Sequence, residues 1–159
     1  MKDNFAISED IIKKILQKYG LGQFSAFEEI KTGLINPVFI VNNQYVLKIN
    51  TKRNPENKQK FEKEAFLYAL FYKSNIPTPK CIAYDYSREI IKEDYLLISY
   101  IEGETLTKAF KKANKETKYH LAYQLGEIAK IIHTVNIGKI SHRSHLLGNK
   151  ESWDIRIKS

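Results

Sequence analysis

Pro37-Val38-Phe39-Ile40-Val41-Asn42-Asn43-Gln44-Tyr45-Val46-Leu47-Lys48-Ile49-Asn50 is two strand-forming runs joined by a turn. Valine, isoleucine, phenylalanine and tyrosine suit a pleated, half-buried surface, and an Asn-Asn pair tolerates the positive φ angles of a tight hairpin. Residues 37–41 and 44–50 are therefore expected to pair antiparallel. Successive strand side chains alternate between faces, so Lys48 lies opposite to Leu47 and Ile49. A lysine on a half-exposed sheet is an ordinary surface group, and it needs a partner before it carries meaning.

Working upstream, Ser8 followed by Glu9 and Asp10 starts a helix with a capping hydroxyl and two carboxylates near the positive end of its dipole. Ile11, Ile12, Ile15, Leu16 and Tyr19 recur with helical period, and Gly20 is placed to end it. Residues 24–31 read as a first strand. Downstream, Asn54-Pro55 opens a helix that runs to about Lys73, where Ile76-Pro77-Thr78-Pro79 stops it. Residues 82–86 and 94–101 read as two more strands, with Glu102-Gly103 breaking the pattern. A short helix around residues 106–112 and a long one around 116–133 follow. Ala122, Leu125, Ala129 and Ile132 form a stripe on the long helix that should face a core. Antiparallel strands interrupted by one helix and followed by an all-helical portion indicate an α+β protein. Two parts are expected, 1–102 and 103–159.

Composition narrows the class. Hydrophobic residues are 43% and charged residues 28% of 159 residues, as in soluble globular proteins. No apolar run approaches the roughly 20 residues of a membrane helix, and no secretory signal opens the chain. Cys81 stands alone, which excludes an internal disulfide and suits a cytoplasmic setting. The net charge of +8 favours anionic partners. The lysines are scattered, however, mostly opposite apolar stripes, and no RNA-recognition aromatic signature, zinc-finger spacing or basic zipper accompanies them. A nucleotide is expected ahead of nucleic acid.

Glu64 gives Lys48 its partner. It lies three residues after Phe61 and four before Tyr68, on an apolar helix face, where a carboxylate is costly unless a cation meets it. Lys48 precedes it by sixteen residues on the strand that feeds this helix. A strand lysine held by a helix glutamate is how kinases grip the α- and β-phosphates of ATP. Glu62 is the competing carboxylate. Gly33 and Asn36, in the turn Lys31-Thr32-Gly33-Leu34-Ile35-Asn36, can present backbone N–H groups to an anion. Tyr95 to Gly103 reads as a buried strand running into a linker where adenine could meet backbone groups.

These segments together resemble the aminoglycoside phosphotransferase family and its choline-kinase-like relatives. The matching stretches are residues 33–39, 45–49, 61–64, 76–79, 95–103 and 125–133. The resemblance implies a protein-kinase-like N-lobe, a sheet of about five antiparallel strands plus one helix, followed by the first helices of a helical C-lobe. It implies that Lys48 contacts ATP phosphates and Glu64 orients it, with Gly33 and Asn36 in the phosphate-covering turn. Ser99 C=O and Ile101 N–H would receive adenine, and Ile98 would line the back of the pocket. A small hydroxyl-bearing acceptor is the family's second substrate. His133 is expected to be structural.

The family transfers phosphate with a His-x-Asp-x-x-x-x-Asn loop and a later metal-binding Asp. Residues 142–149 have the His-to-Asn spacing, but Ser144 stands at the Asp position, and its hydroxyl can neither act as a base near neutral pH nor supply anionic charge. No Asp follows except Asp154, too close to be the second metal ligand, so the spacing of residues 142–149 is read as a coincidence. The expectation is an ATP-binding portion that ends before its catalytic loop, lacks magnesium ligands, and is inactive alone. Apolar surface left uncovered should favour self-association. Two other readings stay open, a noncatalytic interaction module and a basic nucleic-acid binder. A nucleotide titration separates the first from the phosphotransferase reading, and the salt dependence of a gel shift tests the second.

Overall fold

The computed structural model describes residues 5–31, 36–51 and 55–135. The elements run α1 (Glu9–Lys18), β1 (Phe27–Glu29), β2 (Val38–Val41), β3 (Tyr45–Asn50), α2 (Pro55–Lys73), β4 (Cys81–Asp85), β5 (Asp94–Ser99), α3 (Leu106–Lys112) and α4 (Lys115–Thr134). The five strands form one sheet in the order β1-β2-β3-β5-β4, every neighbour antiparallel. The protein is α+β, as its sequence pattern indicates. The chain divides into two compact units, one built from residues up to 69 with 79–101, the other from 70–78 with 102 onward. No helix among the described residues is long and apolar enough to cross a membrane.

In the first unit, Ser8 caps α1 by accepting the Ile11 amide (3.4 Å). Gly20 closes the helix with φ +63°: its amide donates to Gln17 C=O and that of Leu21 to Leu16 C=O. Asn42 and Asn43 both have positive φ, 54° and 52°, as the β2–β3 hairpin demands. Asn42 does more than turn the chain. Its side-chain oxygen accepts from Ser25 N (2.8 Å), Ser25 Oγ (3.0 Å) and Ala26 N (3.3 Å), and its Nδ2 donates to Gln23 C=O (2.8 Å). These bonds occupy residues 23–26, so β1 is shorter than the expected 24–31. The last strand, expected over 94–101, likewise ends at Ser99.

The sheet is covered on both faces. Ile12, Ile15 and Leu16 of α1 pack with Phe39, Val41, Leu47, Ile49, Tyr95 and Leu97 on one. Phe61 of α2, with partly buried Ala65 and Tyr68, packs with Leu96, Ile98 and Val46 on the other. β5 lies inside the sheet, so its residues alternate between two apolar layers, and Asp94 to Ile98 are all buried.

Asp85 joins α1 to the far edge of the sheet. Its side chain is 6% exposed and accepts from Lys18 Nζ (2.8 Å), Tyr19 OH (2.6 Å), Tyr95 OH (2.8 Å) and Ser87 N (2.8 Å). Burial alone would raise its pKa, but these donors outweigh it and hold the carboxyl well below the usual range.

In the second unit, α2 ends at an Asn75 with φ 55°, whose amide donates to Tyr72 C=O while that of Ile76 donates to Phe71 C=O. The helix is thus closed before the Pro77-Thr78-Pro79 stretch that was expected to stop it. Asn114 caps α4, accepting the Thr117 amide (2.8 Å). The stripe expected to face a core behaves differently: Ala122, Leu125, Ala129 and Ile132 are all exposed, Leu125 at 51%. Helical periodicity marks an apolar face without showing that anything covers it.

Candidate functional site

Lys48 Nζ donates to Glu64 Oε1, linking β3 to α2. The sheet geometry dictates the meeting. Leu47 and Ile49 are fully buried against α1, which turns Lys48 to the opposite face, beside Leu96 in register and under α2. Phe61 anchors α2 on that face, one turn before Glu64, and its ring lies 5.9 Å from the ammonium. Removing Phe61 from water contributes about 1.5–3 kcal/mol to this docking. Both charged side chains keep some exposure, 23% for Lys48 and 30% for Glu64, so the pair remains open to an incoming ligand.

Tyr68 was used in the sequence only to mark the helix face. Its hydroxyl donates to the same Glu64 oxygen (3.1 Å). Burial, then the Glu64 charge, pushes the phenol's pKa upward, so it stays a donor at neutral pH. An i to i+4 Tyr could have been noticed as a second anchor. Glu62, the competing carboxylate, is not the one that Lys48 Nζ meets; burial, then the charges of Asp94 and Glu62, raise the pKa of Tyr84 to about 12. Cys81, paired with Ile98 across β4 and β5, also borders this face, and burial raises its thiol pKa, which keeps it protonated.

At the end of β5, Ile98 is buried beside Phe61 and Val46. Ser99 N–H donates to Lys80 C=O (2.9 Å), while Lys80 N–H donates to the Ser99 hydroxyl (2.9 Å). The Ser99 side chain thus takes the donor that its own carbonyl would accept in a continued ladder. Tyr100 N–H donates to Gln44 C=O (2.7 Å), and Ile101 beyond it is 57% exposed. Asn36, half-buried, has a side-chain oxygen with no hydrogen-bond partner among the described residues. Gly33 lies outside the described residues, as do Ser144 and the whole of 142–149. Lys48 and Glu64 are therefore brought into contact, Ile98 and Ser99 occupy the neighbouring strand β5, and Asn36 lies in a bend before β2.

The arrangement offers a half-exposed ammonium held by a carboxylate, an apolar patch, and a strand end with backbone groups outside the ladder. Comparison with solved structures finds the same fold. The gentamicin complex of APH(2")-IIa superposes with a TM-score of 0.70 at 19% identity, over 96% of this chain and 48% of that one. Its streptomycin–ATP ternary complex gives 0.63 at 19% identity, over 84% and 42%. ADP-bound aminoglycoside phosphotransferase APH(2'')-Ib gives 0.62 at 18%, over 82% and 41%. At such identities the likeness establishes the fold, a protein-kinase-like lobe with its following helices, and the chain spans less than half the length of these proteins. No curated protein matches. The sequence model of the phosphotransferase enzyme family (APH) matches residues 26–156. This chain belongs to the phosphotransferase enzyme family.

Proposed function

We propose that this chain forms the ATP-binding portion of a small-molecule phosphotransferase, with Lys48 contacting the α- and β-phosphates and Glu64 orienting it. The observation that carries the reading is the Lys48–Glu64 contact across β3 and α2, reinforced by Tyr68. A lysine without the carboxylate would be a mobile surface charge; held, it is a fixed cation for phosphate oxygens. Ser99 C=O and Ile101 N–H would receive adenine against Ile98, while Gly33 and Asn36 would border the phosphates. The relatives in complex with ATP and ADP support a nucleotide, and the aminoglycoside complexes support a hydroxyl-bearing acceptor. A cytoplasmic setting, where ATP is plentiful, suits the lone Cys81.

Magnesium would reach this region with the nucleotide. The Glu64 oxygen that accepts from both Lys48 and Tyr68 serves the lysine, so the residues described here fit the phosphates better than the metal. With no His-x-Asp-x-x-x-x-Asn stretch among them, the 159 residues by themselves are read as binding without transferring. Tyr119, Tyr123, Leu125, Ile131 and Ile132, all exposed on α4, offer apolar surface for self-association.

A titration with a fluorescent trinitrophenyl-ATP, displaced by unlabelled ATP, tests the reading. Displacement by ATP is the expected result, and GTP run in parallel reads the base preference, since other relatives are GDP complexes. Absence of saturable probe binding would leave a kinase-like lobe with no nucleotide site.

A further inference from the structure

We propose that the angle between α3 and α4 is a docking groove for an acidic peptide segment bearing apolar side chains. The two helices are joined by Ala113 and Asn114 alone, and the open groove between them, about 560 Å³, is lined by Leu106, Thr107, Phe110, Lys111 and Lys118. Every lining residue belongs to the second unit, and none belongs to the Lys48 site. The floor is apolar and each helix contributes one lysine to the wall.

Charge selects the occupant. Over residues 108–118 there are five lysines and one glutamate. Lys112 is paired with Glu104 (2.9 Å), whereas Lys111 and Lys118 have no carboxylate partner among the described residues. Two ammonium groups without carboxylate partners on one groove favour an anionic occupant. They equally disfavour a cationic occupant, so an aminoglycoside-like acceptor does not fit here.

Shape selects the class of partner. A purely phosphate-bearing partner would gain nothing from Leu106 and Phe110. A lipid surface is entered by protruding apolar side chains, whereas Phe110 is half-buried, which favours a partner that brings its own apolar side chain to it. A peptide with leucine or phenylalanine flanked by aspartate and glutamate meets both demands, an anchor in a pocket and carboxylates on a basic rim.

The test uses the 159-residue chain and a fluorescein-labelled octapeptide, Asp-Glu-Leu-Asp-Phe-Glu-Leu-Asp, followed by anisotropy. Binding at roughly 10–100 μM is expected, as for a weak transient contact. The double variant Lys111→Glu, Lys118→Glu should weaken it at least tenfold. Lys14→Glu with Lys92→Glu, the same charge change at exposed sites of the other unit, should alter it less than twofold. Phe110→Ser should also weaken binding, but because it can perturb folding, the exposed lysine pair decides, with circular dichroism confirming its fold. The proposal is overturned if the peptide does not bind, if an Asn/Gln version binds as well, or if the control variant loses as much. It is equally overturned if phosphatidylglycerol vesicles bind while the peptide does not.

Discussion

Lys48 is useful only while Glu64 holds it, and Glu64 is tolerable on an apolar helix face only while donors meet it. The two residues were legible as a pair because alternation in β3 put Lys48 on the face opposite Leu47 and Ile49, while helical spacing in α2 left Glu64 on an apolar face that needs a cation. Tyr68 should act as a positioning residue: Tyr68→Phe removes one hydrogen bond to a charged group and should cost about 1 kcal/mol of stability. ATP affinity should change less than threefold, because Lys48 still donates to Glu64. A urea melt and a nucleotide titration on the same variant check both numbers. The bonds of Ser99 and Asp85 to distant residues left no local signature, since they depend on register and on packing between remote segments.

The elements were mostly readable where a cap or turn residue has local chemistry: Ser8, Gly20 and the Asn pair all lie at element boundaries. They failed where a side chain intervened, as with Asn42 binding residues 23–26 and shortening β1. Asn43 supplies only a positive φ, which glycine adopts freely, so Asn43→Gly should change stability by less than about 0.5 kcal/mol. Asn42→Gly keeps the turn but removes four hydrogen bonds, and should cost about 1–2 kcal/mol in chemical denaturation. The α1 anchor has a pH signature. Because the Asp85 pKa is depressed in the folded state, its contribution is fully present above the unfolded value of about 4 and is lost as pH falls toward the folded pKa. Asp85→Asn should therefore be destabilised by about 2–3 kcal/mol at pH 7, with the gap to the native chain narrowing below pH 4. Thermal melts across pH 2–7 would show it, and a constant gap would mean that the carboxylate is not what anchors α1.

For the whole molecule, the α+β class could be read from element order, because strands and helices segregate along the chain, while the kinase-like architecture came from the family resemblance. Periodicity could not reveal that the apolar side of α4 is exposed, nor that Lys111 and Lys118 line a groove, since a covered face and an uncovered one share one sequence pattern. Phosphotransfer requires a base at the acceptor hydroxyl and metal bridging the β- and γ-phosphates. With no His-x-Asp-x-x-x-x-Asn stretch among them, the 159 residues should release no ADP above background across aminoglycosides, choline, homoserine and sugars. Turnover abolished by Lys48→Ala would instead make residues 142–149 a working catalytic loop.

The account stands or falls on whether nucleotide engages Lys48. Isothermal titration calorimetry with ATP and magnesium, comparing the native chain with Lys48→Ala, measures this directly. Loss of a charge-assisted contact of about 1.5–3 kcal/mol predicts a roughly ten- to hundredfold weaker dissociation constant for the variant. Equal affinity in two equally folded proteins would place the nucleotide elsewhere and contradict the account.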